Sequence, residues 1–100
     1  MFNNHNVRVS EKAKLGQNVR IGDNTVIYDN VIIGDNCTIA NNCTIGEPTS
    51  AFYSNSDYDN KPTTIGANAL IRSGSIIYSG TSIGDSLETG HRCIIREESV

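Results

Sequence analysis

The sequence predicts an all-β fold in which very short parallel strands stack in successive coils. Three observations predict it: an aliphatic residue recurs at every sixth position, a small or branched residue stands two places before each, and Gly, Asp and Asn crowd the places between. A repeat of this kind decides the architecture of the whole chain. Isoleucine or leucine occupies Leu15, Ile21, Ile27, Ile33, Ile39 and Ile45, then Ile65, Ile71, Ile77 and Ile83, passes over Thr89, and returns at Ile95.

The preceding positions are Ala13, Val19, Thr25, Val31, Cys37 and Cys43, then Thr63, Ala69, Ser75, Thr81, Leu87 and Cys93. Each hexad therefore reads inward, outward, inward, and then a three-residue corner. Alternation over so short a span is a strand signal and excludes a helix. Val, Ile and Thr suit the pleated segments. Gly and Asn accept positive φ at low cost and suit corners such as Gly22–Asn24 and Gly34–Asn36. Three corners close a triangular coil of eighteen residues, and stacked coils pair their strands in parallel about 4.8 Å apart with the isoleucines piled along the axis.

Hexads run over 7–48 and again over 63–98, so residues 1–100 are expected to form a single β domain. The spacing from Ile45 to Ile65 is twenty where six is the rule, which marks an inserted loop at 49–62. Phe52, Tyr53 and Tyr58, half of the six aromatic residues, fall inside it. A loop so rich in aromatics is expected to pack, either on a neighbouring subunit or substrate or on its own wall.

Every third hexad shares a face, so the sequence sorts into columns. The outward positions form three faces: Arg8, Val26, Thr44, Ile76, Ile94; Lys14, Ile32, Thr64, Ser82; and Arg20, Thr38, Leu70, Glu88. The first is the most apolar in its upper half and is nominated for subunit contact. At the corners, Gly16, Gly34, Gly66 and Gly84 make one column, which corner conformation alone would explain. A second carries Gly22, Ala40, Arg72 and Gly90 followed by Asp23, Asn41, Ser73 and His91, so His91 stands outward beside Ser73 with Arg72 one coil away. The third carries Tyr28, Gly46, Tyr78 and Arg96, and the insertion leaves from it.

Composition narrows the partners. A net charge of -3, a pI near 5.2 and no adjacent pair of Lys or Arg argue against nucleic acid and anionic membranes. No apolar run exceeds three residues, far short of the roughly 20 that span a bilayer, and the start MFNNHN is too polar for a signal peptide. A cytoplasmic chain is expected. Three cysteines, all at small inward positions, read as compact core residues rather than disulfides.

The run of Ile or Val, Gly, two variable residues and a small residue resembles the hexapeptide-repeat acyltransferase family, whose fold is a left-handed parallel β-helix. The handedness follows from the resemblance, since parallel crossovers are otherwise almost always right-handed. Two stretches, IGEPTSAFYSNSDYDNKPTTIG and LETGHRCIIREES, look like members that acetylate amines or hydroxyls of sugars, including nucleotide-linked amino sugars. The resemblance implies acetyl-CoA as donor, a homotrimer, and active sites in grooves between subunits where a histidine commonly acts as base. His91 is the position that matches. Family members usually continue for several more coils and often end in a capping helix, so a chain stopping at Val100 is expected to be truncated.

Acetyl transfer requires removal of the nucleophile's proton as the thioester carbonyl is attacked, and His91 is the candidate base. Tyr53, Arg72, Tyr78 and Glu97 are candidates to hold the sugar or its phosphates, by charge or hydrogen bond. Each is equally a solvated corner residue, and His91 is alternatively an ordinary surface histidine. The competing readings are a β-helix carbonic anhydrase, whose three metal-holding histidines this chain cannot supply with His5 and His91 alone, and a non-catalytic trimeric structural module. No metal is expected.

Overall fold

The computed structural model describes residues 5–48 and 61–95. It is an all-β, left-handed parallel β-helix, with no helical segment among those residues. Twelve strands of two to four residues follow one another around a triangular coil: β1 Arg8–Val9, β2 Lys14–Leu15, β3 Arg20–Ile21, β4 Val26–Ile27, β5 Val31–Ile33, β6 Thr38–Ile39, β7 Thr44–Glu47, β8 Thr63–Ile65, β9 Leu70–Ile71, β10 Ile76–Tyr78, β11 Ser82–Ile83 and β12 Ile94–Ile95. They sort into three walls. Sheet A is β1-β4-β7-β10-β12, sheet B is β2-β5-β8-β11 and sheet C is β3-β6-β9.

Register follows the eighteen-residue coil. Arg8 pairs Val26 and Val26 pairs Thr44 on sheet A; Lys14 pairs Ile32 on sheet B; Arg20 pairs Thr38 and Thr38 pairs Leu70 on sheet C. The three outward faces are thus the three read from the sequence. Inward, Ile27, Ile33, Ile39, Ile45, Ile65, Ile71 and Ile77 are each no more than 1% exposed, stacked with Thr25, Val31, Cys37, Cys43 and Ala69. Burial of each such isoleucine contributes about 1.5–3 kcal/mol, which is how so narrow a core suffices. The first coil is the exception: inward Val9 and Leu15 remain 41% and 40% exposed, because no described coil lies below them.

The corners correct one expectation. Positive φ falls on the last corner residue, usually asparagine: Asn18, Asn24, Asn30, Asn36, Asn42 and Asn68 all lie at 58° to 62°. The column of Gly16, Gly34 and Gly66 does not adopt it. Those glycines are required by close approach, since a Cβ on Gly34 would sit 2.7 Å from the Ala67 nitrogen, and one on Gly16 would sit 2.8 Å from the Asp35 nitrogen. Side chains then lock one coil to the next. Asp35 accepts the Gln17 N–H at 2.8 Å, Asn41 that of Asp23 at 2.7 Å and Asp85 that of Ala67 at 2.9 Å, while the Asn18 amide donates to Asn36.

A second correction concerns the root of the insertion. Tyr78 opposes Glu47, not Gly46, because sheet A bulges between Ile77 and Tyr78. Gly46 absorbs the extra residue with φ of 81°, and a Cβ there would collide with Val31. Thr44 and Ile76, which pair across this point, are 32 residues apart where the neighbouring coils are 18 apart, a difference of 14.

Cys37, Cys43 and Cys93 are free thiols. Cys37 and Cys43 are buried and donate to the carbonyls of Gly66 and Arg72. Burial pushes the Cys43 thiol up from its ordinary value, against the opposing pull of backbone hydrogen bonds. It is a core side chain rather than a nucleophile.

Candidate functional site

The corner between sheets C and A carries the candidate base. Here residues 72–75, leaving β9, lie beneath residues 90–93, leading into β12. His91 is exposed and lines a shallow surface depression of about 470 Å³ with Asn42, Ser73, Gly74 and Arg92. Serine and histidine are therefore neighbours on successive coils.

Backbone bonds hold this corner. Arg92 N–H donates to the Ser73 carbonyl at 2.9 Å and Gly74 N–H to that of Asn41 at 3.1 Å. Under it the regular ladder changes character. At the equivalent place two coils below, Gly22 N–H donates to the Ile39 carbonyl, whereas Arg72 N–H donates to the hydroxyl of Thr89 at 3.0 Å. Thr89 takes the inward position that isoleucine fills elsewhere and is 5% exposed. With a hydroxyl in the ladder, pairing above β9 shrinks to a single bridge between Leu70 and Glu88. Ser75, fully buried, donates to the Arg72 carbonyl at 2.7 Å and accepts from Cys93 N–H at 3.3 Å. Thr89 and Ser75 thus form a polar footing that sets the height of the His91 turn.

Arg72 stands on the same corner, but its guanidinium donates to Glu88 at 3.0 Å. With the two side chains 42% and 61% exposed, the pair is screened and worth under about 1 kcal/mol. A ligand competing for Arg72 must displace Glu88.

Tyr78 lies elsewhere, on the corner between sheets A and B, with Tyr28 and Glu47. Burial raises the Tyr28 phenol above its ordinary value, and the Glu47 charge adds to this. Within one chain, then, His91, Ser73 and Arg72 share a corner and Tyr78 does not. Tyr53 and Glu97 lie outside the described residues. Among the described residues no group of three His, Cys, Asp or Glu side chains is placed to hold a metal ion.

The reading of the sequence missed two contributors. Thr89 was visible only as a break in the isoleucine series, and its role as ladder acceptor depends on the coil beneath. Arg92 is found by reading the last corner position as a column, where Asn6, Asn24, Asn42 and Gly74 precede it.

Comparison with known proteins bears on the repeats. The bacterial transferase hexapeptide family, six repeats, matches residues 12–47, and the hexapeptide repeat of succinyl-transferase matches residues 62–86. No curated protein and no solved structure is significantly similar to the chain. His91 follows the second match by a few residues. Hexapeptide-repeat transferase domains therefore lie on both sides of the insertion and supply β2 to β11 of the coil on which His91 stands.

Proposed function

We propose that the chain is an acetyltransferase that moves an acetyl group from acetyl-CoA to an amine or hydroxyl of a sugar or sugar nucleotide. The observation that carries the reading is an exposed histidine beside a serine, in a surface depression on transferase-type hexapeptide repeats. The thioester supplies an activated acyl carbon. The chain's part is to hold the acceptor and take its proton, for which histidine is suited at neutral pH. Ser73 and Asn42 line the depression as hydrogen-bonding groups that orient the acceptor.

A homotrimer completes the site. Sheet A presents Val26, Ile76 and Ile94, the last 59% exposed, and turning this wall toward a threefold axis removes that apolar surface from water. Threefold geometry then sets the C–A edge of each subunit against the A–B edge of the next. His91 of one subunit then faces Tyr78 and the root of the insertion at Glu47 on its neighbour. Arg72, on the histidine's side, remains a proposed sugar ligand, and Tyr53 and Glu97 remain proposed sugar ligands as well. Free thiols suit a reducing compartment, and the cytoplasm is the proposed location.

The test is acetyl-CoA-dependent release of thiol with a panel of amino sugars and nucleotide-linked amino sugars. Saturable release with at least one acceptor is expected. No release with any of them, by a folded trimer, would favour the competing reading of a structural module.

A further inference from the structure

Arg92 stands where the fold elsewhere uses asparagine. In its column of corner residues, Asn6, Asn24 and Asn42 have φ of 54°, 59° and 58°, Gly74 has 77° and Arg92 has 54°. Asn and Gly take this left-handed conformation at small cost, and a long side chain takes it at a larger one. Space has been cleared for this arginine as well. A Cβ on Gly74 would come within 3.0 Å of the Arg92 Cγ, so the stem of Arg92 lies across the one corner residue of the column below it that has no side chain.

The surroundings favour an anion. Arg92 lines the His91 depression with Asn42, Ser73 and Gly74, and no carboxylate is among the described residues that line it. Arg72, one coil below, has its charge met by Glu88 instead. In a chain of net charge -3, which repels anions at long range, an exposed cation with no carboxylate among the described lining residues of its depression is a local exception.

We infer that Arg92 is the anion-binding residue of this depression and takes a phosphate group of the acceptor, which makes it a specificity-determining residue for acceptors linked to a nucleotide. Guanidinium matches phosphate with two parallel N–H···O bonds, and an ammonium in its place offers only a point charge. Assigning the phosphate to the acceptor rests on the transfer reading given above. Binding of phosphate by Arg92 does not.

The experiment titrates uridine diphosphate and, separately, CoA into the full chain and into Arg92→Asn and Arg92→Lys variants, with thermal midpoints recorded for each. Asparagine is the residue this corner uses elsewhere, so Arg92→Asn is expected to melt no lower than the parent, which removes misfolding as a cause of weak binding. Uridine diphosphate is expected to bind Arg92→Asn about tenfold more weakly or worse, as the loss of a charged hydrogen-bond donor implies, and Arg92→Lys to fall between. CoA binding is expected to change less than about twofold, within the scatter of a residue that makes no contact. Weakened CoA with unchanged uridine diphosphate would overturn the acceptor assignment and give the phosphate to the donor. Equal affinities of both probes for parent and Arg92→Asn, or no binding of either by the parent at millimolar concentration, would overturn the inference entirely. A chain that binds uridine diphosphate through Arg92 yet transfers no acetyl group would sink the transferase reading and leave phosphate binding by Arg92 standing.

Discussion

Replacing His91 with alanine is expected to lower the acetyl-transfer rate by about 10²- to 10⁴-fold, the usual worth of a positioned general base. The side chain is exposed and stands outside the stacked core, so the same variant should keep the parent's melting temperature and oligomeric size. A fall in kcat with neither a fold loss nor a rise in the acceptor's KM is expected of a group that takes the acceptor's proton. Full activity in His91→Ala would end its assignment as base, whatever becomes of the coil.

The second large effect is on stability and separates two roles of glycine within one column. At Gly34 an added methyl meets the backbone of the next coil, 2.7 Å from the Ala67 nitrogen and 2.8 Å from the Gly66 carbonyl carbon. Backbone held in a parallel ladder cannot retreat as a flexible side chain would. Gly34→Ala should therefore cost about 1–3 kcal/mol, as overpacking does, and should part the ladder where Gly34 N–H meets the Ile65 carbonyl at 2.8 Å. Gly84 occupies the same column in the uppermost described coil, with nothing within 4 Å of its added Cβ and no positive φ. There alanine should be neutral or should stabilise by about 0.4–1 kcal/mol through the unfolded chain. Chemical denaturation of the two variants decides the matter, and equal losses at both sites would mean that conformation, not coil contact, selects glycine here.

That contrast shows where sequence reasoning works in this fold and where it stops. Inward and outward positions were legible because one period of six governs both burial and pairing. Once Arg8, Val26, Thr44, Ile76 and Ile94 are placed on one face, parallel register between them follows. Which corner residue bends the chain was less legible, because glycine and asparagine are both permissive. Only the distance between coils shows that Gly16, Gly34 and Gly66 are there for proximity while the asparagines carry the turn.

At the candidate site the limit is different. A histidine at a corner can be recognised from its column, but Thr89 as a ladder acceptor, Glu88 as the partner of Arg72, and Gly74 as the bed of Arg92 are pairings between coils. Hexad periodicity says which residues stack and is silent on which of their atoms meet. The placement of Tyr78 on a corner apart from His91 carries the further consequence that a site using both must draw on two subunits.

Whether this coil serves acetyl transfer is decided by titration calorimetry of acetyl-CoA into the purified chain, with folding verified in the same sample. Saturable binding at one site per subunit is expected. Absence of binding at millimolar acetyl-CoA by the folded protein would contradict acetyl transfer, leaving a hexapeptide-repeat coil that carries the histidine without the donor.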